Sequence, residues 1–248
     1  WVLSGEITSF PLLYHYRIVP VCDELAPVGR EQFTEYVEAC GGNENIGQYM
    51  LDRANANYEL LLFLEHIPEM LHPWLLEHLD QVEWVMDELG ATLDFLRKKE
   101  IIHDDVHFGN VLTDGESVFL TDFGLTIDKS FALAENEKSF FDVHSYLPYG
   151  MLLLSLFFLV NDRYGGSPEN IQSQIRDTYG TQEDNSDGED PGLFLSILHN
   201  IEKIHDEGLL KLDNAYVSSV VRFRDIIALM GAFLSLIHIS EPTRHRRI

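Results

Sequence analysis

Residues 101–125 read I-I-H-D-D-V-H-F-G-N-V-L-T-D-G-E-S-V-F-L-T-D-F-G-L, and their reading decides the fold. Asp105, Asn110 and Asp122 stand in this stretch, each bracketed by apolar residues. Between Asn110 and Asp122 lie two short apolar runs, 111–113 and 117–121, joined through Asp114-Gly115. Asp-Gly is the favoured two-residue turn of a tight hairpin, because both positions tolerate positive φ. Such a hairpin returns the chain to its starting point, so Asp105 and Asn110 are expected to face Asp122 across one small space. Phosphoryl transfer needs magnesium to neutralise the phosphates and a carboxylate to orient the attacking hydroxyl. Magnesium takes oxygen ligands, which an Asn carbonyl and an Asp carboxylate supply. This pattern gives Asp105 the role of base and makes Asn110 and Asp122 the metal ligands.

The bulk properties bound this reading. With 248 residues the chain has material for one large domain or two small ones, and 45% hydrophobic with 23% charged residues is a globular composition. A net charge of −24 argues against a nucleic-acid footprint, which needs clustered Lys and Arg, and reads first as a solvated acidic surface. Cys22 and Cys40 have neither metal-ligand spacing nor a disulfide framework, so a reducing, cytoplasmic setting is the default. No signal peptide is legible, and the longest apolar run, 151–160, is about half a bilayer span. The expectation is therefore no membrane. Residues 234–244 (L-S-L-I-H-I-S-E-P-T-R) resemble the one-frame translation of a transposase-end sequencing adapter. Residues 234–248 are accordingly expected to be adapter-derived rather than native.

Periodicity gives the rest. A strand is expected over 9–21, short helices over 31–39 and 45–55 around a helix-stopping diglycine, and a buried strand over 58–65. Leu79, Val82, Val85, Met86, Leu89, Leu93 and Leu96 recur at three- and four-residue steps. They predict a long amphipathic helix, ending at Lys98-Lys99, that delivers the chain into Ile101. Helices are expected over 135–146, 149–161, 193–206 and 214–233, with a polar, mobile loop over 165–192.

On these residues the chain resembles the protein-kinase-like superfamily. His103-Asp104-Asp105 with Asn110 matches the catalytic loop H-x-D-x-x-x-x-N, and Asp122-Phe123-Gly124 matches D-F-G. His107 makes the loop H-x-D-x-H-x-x-N, the variant of aminoglycoside and choline kinase-like phosphotransferases. Phe63-Leu64-Glu65-His66-Ile67-Pro68 resembles a kinase hinge, which implies adenine contacts from the Glu65 carbonyl and the Ile67 amide. Asp142-Val143-His144-Ser145 loosely resembles the helix whose Asp anchors the catalytic loop. The resemblance implies an α+β, protein-kinase-like fold: an incomplete small β lobe and hinge over 1–67, and a mainly α-helical lobe over 68–233. It implies ATP and Mg as cofactors and a protein or small-molecule hydroxyl as acceptor. Asp105 and His107 would be catalytic, and Glu65, Ile67, Asn110 and Asp122 would bind the cofactor.

The chain also departs from that pattern. No G-x-G-x-x-G precedes the hinge, the first lysines are Lys98 and Lys99, and no A-P-E follows Asp122. Glu6 is the one upstream candidate for the acidic partner of a phosphate-binding Lys. Asp104 takes the place of the Arg that pairs with a phosphorylated activation loop, which argues against that form of control. The departures fit a fragment that is itself inactive although its parent is an enzyme. Two alternatives stay open: a pseudokinase acting as a binding module, and a hydrolase holding a transition metal through His103, Asp104, Asp105 and His107.

Overall fold

Four stretches, residues 1–21, 29–39, 42–180 and 191–236, are described by the computed structural model. They form an α+β chain of helices and small antiparallel sheets. It divides into two units: residues 12–66 with the end of the last helix from 231, and residues 1–11 with 67–230. Cys22, Cys40, the acidic part of the 165–192 loop and the adapter-like tail beyond 236 lie outside the described residues.

In the smaller unit, β1 (Leu13–Pro20) pairs antiparallel with β2 (Tyr58–Leu64), Tyr16 opposite Leu62 and Ile18 opposite Leu60. Their long connection carries α1 (Thr34–Ala39) and α2 (Glu44–Ala54). The Gly42 amide closes α1 on the Val37 carbonyl at 2.8 Å, and the Asn43 side chain caps α2 by accepting from the Asn45 amide. The expected burial of 58–65 is overturned, because every residue of β2 is exposed. A continuous apolar run implies burial on both faces only where other layers cover the sheet, and this sheet has two strands.

The larger unit begins with β3 (Glu69–Met70), α3 (Leu71–Glu77) and α4 (Val82–Lys98). Then come β4 (Ile101–His103), β5 (Val111–Thr113), β6 (Val118–Leu120) and β7 (Thr126–Asp128). Helices α5 (Glu135–His144), α6 (Leu147–Gly165), α7 (Glu169–Tyr179), α8 (Pro191–Asp206) and α9 (Asn214–Leu236) as far as Met230 complete it. The α4 stripe Val82, Val85, Leu89, Leu93 and Leu96 is buried, as are Leu152, Leu156 and Leu159 of α6 and Ile197, Leu198, Ile201 and Ile204 of α8. Each fully buried aliphatic side chain contributes roughly 2 kcal/mol. The apolar run 151–160 is core, and among the described residues no single helix is long and apolar enough to cross a membrane.

Two elements differ from the sequence expectation. The expected loop 165–192 contains α7, whose polar surface hides one anchor: Ile175 is fully buried. The hairpin is also looser than a two-residue turn. β5 and β6 pair Val111 with Leu120 and Thr113 with Val118, leaving residues 114–117 as the loop. The Asp114 carboxylate accepts from the amides of Glu116 (2.9 Å) and Ser117 (2.7 Å), and of the two turn residues only Gly115 has positive φ, at 88°. β3 lies on the other side of β5, while β4 pairs with β7. A Cβ on Gly115 would meet nothing within 4 Å, so its substitution tests the backbone alone. Gly115→Ala is expected to cost about 1 kcal/mol of stability and Gly115→Asn less than half of that, read as urea-unfolding midpoints. Equal midpoints for all three proteins would rule out the left-handed turn.

Candidate active site

The site is assembled by β4, the loop that follows it and the far end of the β5–β6 hairpin. His103 ends β4 with 1% of its surface exposed. Its Nε2–H donates to the Thr121 carbonyl at 2.8 Å, while Nδ1 accepts from the Asp105 amide at 3.4 Å. One neutral tautomer serves both contacts, and burial pushes the imidazole below its ordinary range against the pull of Thr121, Asp105 and Asp122. Thr121 adds two bonds, its amide and its hydroxyl both donating to the Asn110 carbonyl at 2.9 Å. Three bonds on Thr121 thus tie the loop to the residue preceding Asp122. Phe123 sets its ring edge-on to His103 at 4.9 Å and to Phe10 at 5.4 Å.

Within the loop, both N–H groups of the Asn110 amide point at Asp105, one to the main-chain carbonyl at 3.0 Å and one to carboxylate Oδ2 at 2.9 Å. Flipping the amide would set its oxygen against two acceptors, so the orientation is forced. Asn110 Oδ1 is thereby turned away from Asp105 as an oxygen donor, and Asp105 Oδ1 is left for other contacts. Asp105 and Asn110 are half-buried, while Asp122 is exposed at the head of the short turn Phe123–Leu125. Asp122 holds φ 54° and ψ 65°, a left-handed conformation rare for a residue with a side chain, and its Oδ1 accepts from the Gly124 amide at 3.3 Å.

His107 is bound through Nδ1, which accepts from the Gly109 amide at 3.0 Å. Gly109 cannot be replaced freely, since a Cβ there would lie 2.9 Å from the imidazole. The opposite nitrogen, Nε2, is buried, has no hydrogen-bond partner among the described residues, and lies 3.6 Å from Asp105 Oδ1. Burial holds His107 below its ordinary pKa range, with Asp105 opposing. Asp104 shows the reverse: burial, then the neighbouring Asp105 carboxylate, push its carboxyl up to about 6, with His144 of α5 opposing.

The remaining expectations fall as follows. Glu65 and Ile67 belong to different units; the Glu65 amide donates to the Leu12 carbonyl at 2.8 Å and its carboxylate accepts from the Leu12 amide. Glu6 pairs with Lys99 at 2.7 Å on the surface. Asp142 is exposed and does not anchor the loop; the contact from the helices comes from α6, where Ser155 Oγ accepts from the Phe108 amide at 3.3 Å. Ser155 carries no motif, and its only sequence signal is a lone hydroxyl inside an apolar helix. Nor did the sequence single out His72 of α3, bound to Asp162 of α6 at 2.7 Å and near enough to oppose protonation of His107.

The donor set fits a hard cation. Asn110 Oδ1 and the Asp122 carboxylate are oxygen ligands of the kind magnesium takes alongside phosphate and water. A transition-metal hydrolase fits less well, because both His103 nitrogens are engaged internally. Among the described residues, no group of three or more His, Cys, Asp or Glu is arranged to hold a metal. No protein-family model matches the chain, and no curated protein matches it.

The raised Asp104 pKa has a stability consequence. The folded state holds the Asp104 proton at pH values where the unfolded chain, near 3.8, has released it, so folding is penalised increasingly from about pH 4 to above pH 6. The depressed histidines act oppositely, which makes the difference between variants the clean measure. Asp104→Asn is expected to gain about 1 kcal/mol at pH 8, solvent screening included, and nothing at pH 4. Urea midpoints at the two pH values check this, and a gain of equal size at both would refute it.

Proposed function

We propose that the chain carries the base and metal-binding half of an ATP-dependent phosphotransferase of the protein-kinase-like superfamily, which moves the γ-phosphoryl group to a hydroxyl of a protein or small molecule. The observation that carries the reading is the Asn110 amide, whose two N–H groups fix the Asp105 carboxylate and leave Oδ1 as an oxygen ligand. Asp105 Oδ1 receives the acceptor hydroxyl and takes its proton. His107 Nε2 lies 3.6 Å from the same oxygen and lines the place where the acceptor hydroxyl would sit. Asn110 and Asp122 would hold magnesium, and magnesium-bound ATP supplies the phosphoryl group together with neutralisation of its oxygens. His103 carries no proton in the reaction; it keeps Asp105 and Asp122 at one place.

The test uses the longest natural protein containing this sequence. ATP binding is expected to depend on magnesium, and Asp122→Ala to remove that dependence. Asp105→Ala is expected to leave binding intact and to lower transfer about 100- to 10,000-fold. Phosphate on a generic protein substrate, lost in Asp105→Ala, identifies a protein acceptor. ATP binding with no metal dependence, or transfer unaffected by Asp105→Ala, would sink the proposal.

A further inference from the structure

A second feature lies on β3 and α3, outside the phosphotransfer residues. Leu71 and Leu75, four residues apart, are fully buried and fix the inner face of α3. This turns two other four-residue pairs, Pro73/Glu77 and Trp74/His78, toward an open cleft of about 280 Å³ that Glu69 and Met70 complete. The His78 ring lies flat on Trp74, with centroids 4.3 Å apart and planes 14° apart. It is held there because Nδ1–H donates to the Trp74 carbonyl at 2.8 Å, which leaves Nε2 of the neutral ring as an acceptor. Trp84 of α4 meets Trp74 edge-on at 6.3 Å and fixes the indole plane. The side-chain carboxylates of Glu69 and Glu77 have no hydrogen bond or ion pair among the described residues.

From this arrangement we infer that the cleft is a docking site for an arginine side chain of a basic protein partner. A flat aromatic stack lining the same cleft as two unpaired carboxylates suits a planar cation that can lie on the rings and donate to an acid. Guanidinium meets that description, whereas an ammonium neither stacks nor binds a carboxylate through two parallel N–H groups. The cleft is open and at the lower end of small-ligand pocket volumes, so its occupant is a side chain presented by a larger surface. The chain's net charge of −24 draws a basic protein toward it and disfavours nucleic acid. The site does not depend on the phosphotransfer reading, since none of its residues takes part in it.

The test is binding of a short acetylated, amidated peptide containing two adjacent arginines to the whole chain at low salt. It is followed by the indole N–H signals of the three tryptophans in a two-dimensional NMR spectrum, with Trp74 assigned through Trp74→Phe. The Trp74 signal is expected to move most. Glu69→Gln with Glu77→Gln is expected to weaken binding about tenfold, two exposed charge contacts together, with an unchanged circular dichroism spectrum. The same peptide with citrulline, neutral but of the same shape, is expected not to bind. Equal binding by the double variant or by the citrulline peptide overturns the proposal. Equal affinity for a lysine peptide overturns the guanidinium assignment, and equal affinity for free arginine overturns the protein partner.

Discussion

One buried, neutral imidazole holds the site in register. His103 reaches two chain segments sixteen residues apart, donating to Thr121 from one nitrogen and accepting from Asp105 with the other. A protonated ring would carry hydrogen on both nitrogens and set one against the Asp105 amide. Burial opposes protonation, so desolvation and hydrogen-bond geometry select the same state. The two bonds from Thr121 to Asn110 then transmit that position to Asn110 and to the neighbouring Asp122. The hairpin between them is short, and the far ends of β5 and β6 have little freedom once these bonds form.

Charge around this pivot is unevenly shared. Three carboxylates, Asp104, Asp105 and Asp122, act within one region of the loop. Asp105 is compensated by the Asn110 amide, and Asp122 is exposed to water. Asp104 has neither advantage and takes up the strain by holding its proton to about pH 6. Asp104 is thus uncharged beside Asp105 below about pH 6 and is ionised above it, which confines the unfavourable charge pair to neutral and alkaline conditions. A carboxyl partly removed from water beside a second acid holds its proton to higher pH in this way.

The layout of the central stretch is legible because a loop and a hairpin are encoded by local spacing. Asp105 and Asn110 share one loop, and the apolar runs after them announce a hairpin whatever its turn. The turn was misread because Asp114 supplies a carboxylate cap that closes a four-residue loop, and composition does not separate that from a two-residue turn. α4 was legible from its long apolar stripe, whereas α7 was hidden: its core contact is Ile175, and one anchor gives no period. Exposure of β2 was not legible at all, since a run such as Leu60-Leu61-Leu62-Phe63-Leu64 reports strand propensity and not what covers the strand. Ser155 and His72 reach the site region from α6 and α3 through tertiary packing that no motif records.

Unfavourable features lie in and beside this stretch, while others lie outside it: among the described residues Arg97 Nε of α4 and Arg163 Nε of α6 are also buried without a hydrogen-bond partner, and Glu100 also holds a positive φ, at 58°. Asp122 holds a left-handed backbone at a cost of about 1 kcal/mol. His107 buries a nitrogen without a partner among the described residues, worth roughly 1–3 kcal/mol. Thr126, opposite His103 in the β4–β7 ladder, leaves its hydroxyl equally unpartnered. Outside this region α4, α6 and α8 pack with their apolar stripes inward, and α2 is capped. A sequence selected for stability alone would relieve the strained positions by single substitutions: Gly at 122, an apolar residue at 107, Val at 126. On the function proposed above, the unpartnered His107 nitrogen 3.6 Å from Asp105 and the left-handed backbone at Asp122 are the two such positions that a bound ligand would account for.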